Sequence, residues 1–212
     1  MAPHLRKVKK GQILLYQGEV PTGIYLIKSG LARASNISSN GDEKTIALFG
    51  KDDYFPLGYL FERSPVALFY YEIIADSEVE FYSRDAFLKK LREEDPINHL
   101  THMAMQYVST LLQVNALGQT KARDRVLRIL QYLALRFGED SRLGGGKYVK
   151  IIIPFTQQDI GRLAGLTRET TAIELNKLKK EEIIIVRKKH YTVHLKKLLA
   201  AIGEDELDSV EL

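Results

Sequence analysis

Arg168, Glu169 and Thr170 stand in a row in this chain: a double hydrogen-bond donor, a carboxylate acceptor and a hydroxyl. On the exposed first turn of a helix this set suits base-pair edges, because Arg donates in parallel to guanine O6 and N7 and Glu accepts from the cytosine amine. Lys177, Lys179 and Lys180 follow on the same segment, and Arg187-Lys188-Lys189-His190 lies just beyond, a supply of positive charge suited to phosphates. Other chemistries find less support. His99 and His102 are three apart, and His190 and His194 four apart, but neither pair has a third ligand near it, so these read as surface histidines and no metal is assigned. Asp52-Asp53 reads as two solvated turn carboxylates. Arg142 to Gly146 is glycine-rich without the Lys-Ser/Thr or the following helix of a phosphate loop. The absence of cysteine excludes disulfides, thiolate-held clusters and a thiol nucleophile. No catalytic residue and no cofactor is assigned.

Placing Arg168 on the first turn of a helix requires a frame, and the residues around it supply one. Thr156 followed by Asp159 three residues later is a capping pattern, and Ile160, Leu163 and Ala164 then make an apolar stripe. Gly165 can end that helix in the left-handed region, Leu166 can plug the turn and Thr167 can cap a second helix from Arg168. In this second helix Thr171, Leu175 and Leu178 share the core side, whereas Arg168, Glu169, Ala172, Ile173 and Asn176 face outward. The pattern predicts a helix-turn-helix. Strands at Ile183–Val186 and Tyr191–Val193, joined by the basic tetrapeptide, predict a wing. The expected nucleic-acid contacts are Thr156, Gln157, Gln158, Thr167, Arg168, Glu169, Thr170, Ala172, Ile173, Asn176, Lys177, Lys188 and Lys189.

Upstream, a helix is expected from about Ala122 to Phe137 and a strand from Tyr148 to Pro154, with a short helix at Leu198–Ile202 and a frayed acidic tail from Glu204. Charge separates this half from the rest: Lys121 to Lys197 holds 18 Lys plus Arg against 8 Asp plus Glu, leaving 13 against 19 elsewhere. A basic unit beside an acidic one is an electrostatic footprint for nucleic acid.

From Gly11 to Ser83 the chain reads as short strands (QILLY, GIYLIKSG, LARASNI, KTIALF, FYYEIIA, VEFYS) separated by glycine turns, with Asn40-Gly41 as the strongest hairpin signal. Closely spaced strands without intervening helices predict an antiparallel barrel or jelly roll. No histidine lies between His4 and His99, so the barrel lacks the imidazole cluster of a metal-dependent cupin. Arg84–Arg92 reads as a short helix and Pro96 opens a longer one. On the latter, Ile97, Leu100, Ala104, Tyr107, Leu111 and Val114 alternate spacings of three and four, a seam that wants a partner helix. A second copy is the expected partner, with Leu100, Ala104, Tyr107, Leu111 and Val114 at the interface. Gly118-Gln119-Thr120 marks a hinge. No apolar run approaches a membrane span and the N-terminus is unlike a signal peptide, so no membrane contact and a cytoplasmic setting are expected.

The order of these parts resembles the superfamily of the cyclic-AMP receptor protein and FNR over nearly the whole chain. KKGQILLYQGEVPTGIYLIKSGLARAS is similar to the opening strands of its sensor barrel, and FTQQDIGRLAGLTRETTAIELNKLKKEEII to its helix-turn-helix. The resemblance implies an α+β chain: an N-terminal antiparallel β jelly-roll barrel of cyclic-nucleotide-binding type (1–95), a dimerisation helix and hinge (96–120) and a C-terminal winged helix-turn-helix (121–212). It implies a homodimeric transcription regulator that binds an inverted repeat in double-stranded DNA, with RNA polymerase as a further partner if it activates. Departures limit the transfer. Where cyclic-nucleotide members have a Gly-Glu pair for the ribose this chain has Pro56-Leu57, and near their Arg-Ser/Thr pair for the phosphate it has Ala67-Leu68. Glu62-Arg63-Ser64 contains an Arg-Ser, several residues too early. A recognition-helix position often filled by Arg is Ile173, and the helix that usually precedes the barrel is missing or very short. The expected function is therefore a regulator not controlled by cyclic nucleotide. The segment with Leu57, Tyr59, Leu60, Phe61, Arg63, Leu68, Phe69 and Tyr71 is either a filled core or a pocket for a small apolar effector. Two alternatives remain: an effector-independent regulator whose barrel is only scaffold, and a cupin-like enzyme fused to a DNA-binding module.

Overall fold

A computed structural model describes residues 4–37, 43–141 and 147–203, and contacts divide the chain into two compact units, Met1–Val108 and Ser109–Leu212. The first unit begins with β1 (His4–Val8), β2 (Ile13–Leu15), β3 (Ile24–Ile37), β4 (Glu43–Phe49) and β5 (Tyr54–Phe55). A single helical turn, α1 (Leu57–Leu60), then leads to β6 (Tyr70–Tyr82), α2 (Arg84–Glu93) and the start of α3 (Pro96–Gly118). All strands pair antiparallel in one sheet of order β1-β6-β3-β4, with β2 against β6 and β5 against β3.

The long hairpin partners β3 and β6 replace the four separate strands expected here. Gly30, read as a turn, instead bends β3 in mid-course at φ 91°, and the β3–β6 register shifts on both sides of it. A Cβ there would lie 2.2 Å from Ser77 Oγ and 2.4 Å from Asp76 O, so only glycine lets the two strands cross this closely. β6 keeps one inward rhythm through the crossing: Tyr71, Ile73, Ser77 and Val79 are buried at a spacing of two residues or a multiple of it, and Asp76 between them is exposed. β1 carries no alternating signal in the sequence, because only Val8 of HLRKV is buried. The Asn40-Gly41 turn lies outside the described residues, although Ile37 does pair with Glu43 beside it.

Among the described residues, two clusters make the core of this unit. One is the barrel interior of Leu15, Ile27, Ala32, Ala34, Phe49, Phe55, Tyr71, Ile73 and Val79. Its centre is aromatic: the Phe55 and Tyr71 rings stack at 4.6 Å and 2°, and Phe49 lies 4.9 Å from Phe55. The other seats α1 and α2 through Ile24, Leu26, Tyr54, Leu60, Tyr82 and Phe87. Arg33 is buried yet paired, with its Nη2 2.6 Å from Glu72 and 2.5 Å from Glu43; removing either carboxylate would weaken the compensation of a buried cation.

Two expectations are corrected here. Asp53 is not a solvated turn residue: it is fully buried, and its Oδ2 accepts from Gly50 N–H at 2.6 Å. His102 is not simply a surface histidine, because its Nε2 lies 2.7 Å from Asp53 Oδ1 and ties α3 to the β4–β5 turn. That nitrogen is therefore committed to a carboxylate.

The second unit holds the end of α3, then α4 (Ala122–Phe137), β7 (Gly138–Asp140), β8 (Tyr148–Ile151), α5 (Gln157–Ala164), α6 (Arg168–Lys180), β9 (Ile184–Arg187), β10 (His190–His194) and α7 (Leu195–Ile202). Its sheet runs β7-β8-β10-β9, all antiparallel. β7 was not anticipated; three residues with one partly buried position give no periodicity to read. The strand expected to Pro154 stops at Ile151. The glycine-rich run 142–146 and the tail from Glu204 lie outside the described residues. The core is organised by α4, which buries Val126, Leu127, Ile129, Leu130, Leu133 and Phe137.

Candidate nucleic-acid interface

Local hydrogen bonds fix the entry to α5. Thr156 Oγ1 accepts from Asp159 N–H at 3.1 Å while Asp159 Oδ2 accepts from Thr156 N–H at 2.8 Å, a reciprocal box that satisfies two donors at once. α5 closes on Gly165 in the left-handed region, and Leu166 N–H donates back to Gly161 O at 2.9 Å. Thr167 then caps α6 by accepting from Thr170 N–H at 3.2 Å, and its carbonyl accepts from Thr171 Oγ1 at 2.8 Å. Gly161 is a functional position that sequence reasoning passed over. A Cβ there would stand 2.9 Å from both Leu166 O and Thr171 Oγ1, so the helix pair meets at a distance only glycine permits.

The expected faces of α6 are observed: Thr171, Leu175 and Leu178 are buried, Arg168, Glu169, Ile173 and Asn176 are exposed, and Thr170 and Ala172 are half-buried. Lys177, expected at a phosphate, is exposed and paired within its own helix. Its Nζ is 2.7 Å from Oε1 of Glu174, a mostly buried carboxylate whose Oε2 has no hydrogen-bond partner among the described residues. Drawing Lys177 fully away to a phosphate would leave that carboxylate uncompensated, so the ion pair holds the lysine against α6 in the free protein.

The wing folds back onto the start of α5. Arg187 pairs with His190 across a two-residue loop in which Lys188 and Lys189 both have positive φ, 48° and 68°. Lys189 O accepts from Phe155 N–H at 3.0 Å, which pins the loop beside Thr156. Between them opens a cleft of about 430 Å³ lined by Phe155, Thr156, Gln157, Gln158, Arg168, Val186, Lys189 and Tyr191. A smaller one of about 170 Å³ adds Asn176 and Lys179 to Gln157, Leu175, Val186 and Tyr191. Burial first, and the Asp159 carboxylate second, push the Tyr191 phenol up to about 12, so it stays neutral at pH 7. The structure thus gathers Thr156, Gln157, Gln158, Arg168, Asn176 and Lys189 around one surface. Tyr191 at its floor was missed because its burial resembles any strand residue's.

An exposed helix N-terminus carrying Arg, Glu and Thr, flanked by a basic wing, is the geometry of major-groove reading. Comparisons agree. Residues 5–94 match the cyclic nucleotide-binding domain model and residues 124–202 match the Crp-like helix-turn-helix domain model. The HTH-type transcriptional regulator ArcR of Staphylococcus epidermidis is 30% identical over 192 residues, 89% of this chain and 81% of that protein. The chain belongs to the CRP/FNR family of transcription regulators. Another relative in this family is the cyclic AMP receptor protein of Thermus thermophilus, 27% identical over 184 residues, 84% of this chain and 78% of that one. In fold it is similar to FixK2 from Bradyrhizobium japonicum, with TM-score 0.72, 21% identity and full coverage of both chains. As a CRP/FNR regulator it binds DNA and is no enzyme, which disposes of the cupin-like alternative. No helix among the described residues is long and apolar enough to cross a membrane.

The residues considered for an effector pocket are not brought together in one lining. Leu57, Tyr59 and Leu60 belong to the cluster under α1 and α2, Phe69 and Tyr71 to the barrel interior, and Phe61, Arg63 and Leu68 are exposed. Tyr59 lines an open cleft of about 570 Å³ with Thr22, Glu62, Ser64, Pro65, Ser83, Arg84 and Asp85.

Proposed function

We propose that this regulator acts as a cytoplasmic homodimer that reads an inverted repeat with α6 of each copy, and that cyclic nucleotide does not control it. The observation that carries the reading is the outward stripe on α3, where Leu100 is 65% exposed, Tyr107 66%, Leu111 48% and Val114 58%, with Ala104 exposed between them. Apolar residues at alternating spacings of three and four on a bare helix face match a helix awaiting its like. Arg168, Glu169 and Thr170 supply base contacts, Ile173 an apolar contact to a thymine methyl, and the wing lysines phosphate contacts. The exposure of Arg168, Glu169 and Ile173 on α6 and the cleft that Arg168 shares with Lys189 support this reading.

The nucleotide half of the proposal rests on charge. By the family resemblance Leu57 and Ala67 stand where a ribose and a phosphate would need polar partners, and Ala67 is buried among apolar residues. A phosphate brought there without a cation would cost several kcal/mol. The stacked Phe55 and Tyr71 rings, with Phe49 tilted against both, favour an interior occupied by the protein itself over one holding a small apolar effector. Should the protein activate transcription, RNA polymerase is the remaining partner.

Selection of bound DNA from a random pool, with and without micromolar cyclic AMP and cyclic GMP, tests both halves. An inverted repeat with half-sites centred about 34 Å apart is expected, unchanged by either nucleotide. A single unrepeated site, or a nucleotide-dependent pool, would refute the corresponding half.

A further inference from the structure

Helix C-termini leave carbonyls without partners in the helix, and α3 and α5 both end beside the first turn of α4. Arg125 of α4 serves the two ends together. Its Nε donates to Gln119 O, one residue past α3, at 2.7 Å, and its Nη1 makes a longer 3.4 Å contact with O of Gly165, the C-cap of α5. A guanidinium suits this place because it is a fixed fork of donors whose charge complements the negative end of a helix dipole. Packing follows the same line: the Cβ position of Gly165 lies 3.2 Å from Leu117 Cδ2 and 3.6 Å from Arg125 Nη1, so the last turn of α3 and the guanidinium abut the α5–α6 corner together. Arg123, two residues earlier, holds the other end of α6 through paired bonds of 2.8 and 2.6 Å to Glu181. α4 thereby grips the recognition helix at entry and exit, and only the entry grip also holds the end of α3.

We propose that Arg125 is a positioning residue for DNA recognition: it fixes the α5–α6 corner to the last turn of α3, so that the aim of α6 is set by the helix bearing the dimer seam. The inference rests on the homodimer reading. In a dimer, whatever orients α6 against α3 also orients the two recognition helices against each other. Arg125 lines neither of the two clefts beside the wing, and its effect is on which half-site spacing is accepted.

The test measures equilibrium binding of the full chain to its selected operator and to versions with one base pair added or removed between half-sites, a change of about 35° and 3.4 Å. The wild type is expected to prefer the native spacing. Arg125→Met should stay dimeric by sedimentation but lower the native-to-altered affinity ratio by about fivefold or more, the low end of ordinary coupling between sites. Arg125→Lys keeps the cation but reaches one carbonyl at a time; it should lower the ratio less, and it carries the test if the Met variant fails to fold. Weakening by the same factor at every spacing in both variants would make Arg125 an ordinary structural residue and overturn the inference. A wild type indifferent to spacing would refute the homodimer reading instead, and this inference with it.

Discussion

Replacing Lys188-Lys189 with Asn-Gly should make the protein more stable and a poorer DNA binder. A two-residue hairpin loop with both residues at positive φ demands Asn-Gly or its like, and lysines at φ 48° and 68° sit where a Cβ meets the following carbonyl. Relief amounts to about 1–2 kcal/mol per residue, about 2–4 kcal/mol for the two, less the ~0.5–1 kcal/mol of extra backbone entropy that glycine loses, for a net gain of about 1–3 kcal/mol. The bond from Phe155 N–H to Lys189 O is a main-chain bond and survives the exchange. On the binding side, two lysines per chain make four per dimer. If each neutralises one phosphate, losing them reduces the slope of log affinity against log salt by about 3.6, so the affinity lost between 50 and 200 mM salt shrinks by about 150-fold. Denaturant unfolding and a salt titration of operator binding read the two effects separately. An unchanged salt slope would show that the wing does not reach the backbone, and a less stable protein would show that the turn is not strained.

Gly161→Ala puts a methyl 2.9 Å from Leu166 O and Thr171 Oγ1, so α5 and α6 must separate; we expect a loss of about 1–3 kcal/mol by calorimetry and weaker operator binding. A variant as stable and active as wild type would show that the corner yields freely. Arg168→Ala should cost about 1–3 kcal/mol on the selected operator and relax one base position, against an unchanged specific-to-random ratio if Arg168 reads nothing. Ile173 cannot donate to guanine, so the base pair it faces should show no G requirement in the selected pool.

The second unit was largely legible because its signals are local. Thr156, Asp159, Gly165 and Thr167 each act within four residues, and such caps can be read from spacing alone. The barrel was legible as a class and not in its strand count, since whether Gly30 turns or merely bends the chain depends on Asp76 and Ser77, far along the sequence. Pairing across such distances hid the rest. Asp53 looked like loop polarity until His102 arrived from α3, and Lys177 looked free until Glu174 proved buried beneath it. Gly161, Arg123 and Arg125 carry no spacing signal, because their contacts are set by how α4, α5 and α6 pack.

Sedimentation of Leu111→Glu beside the wild type, each with its selected operator, bears most directly on the claim that two copies read one DNA site through the α3 seam. Glutamates brought face to face in a buried interface are uncompensated charges. The account predicts a wild type with two chains per operator, and a variant that is monomeric and too weak to hold the operator at physiological salt. A Leu111→Glu protein that remains dimeric and binds normally would contradict it.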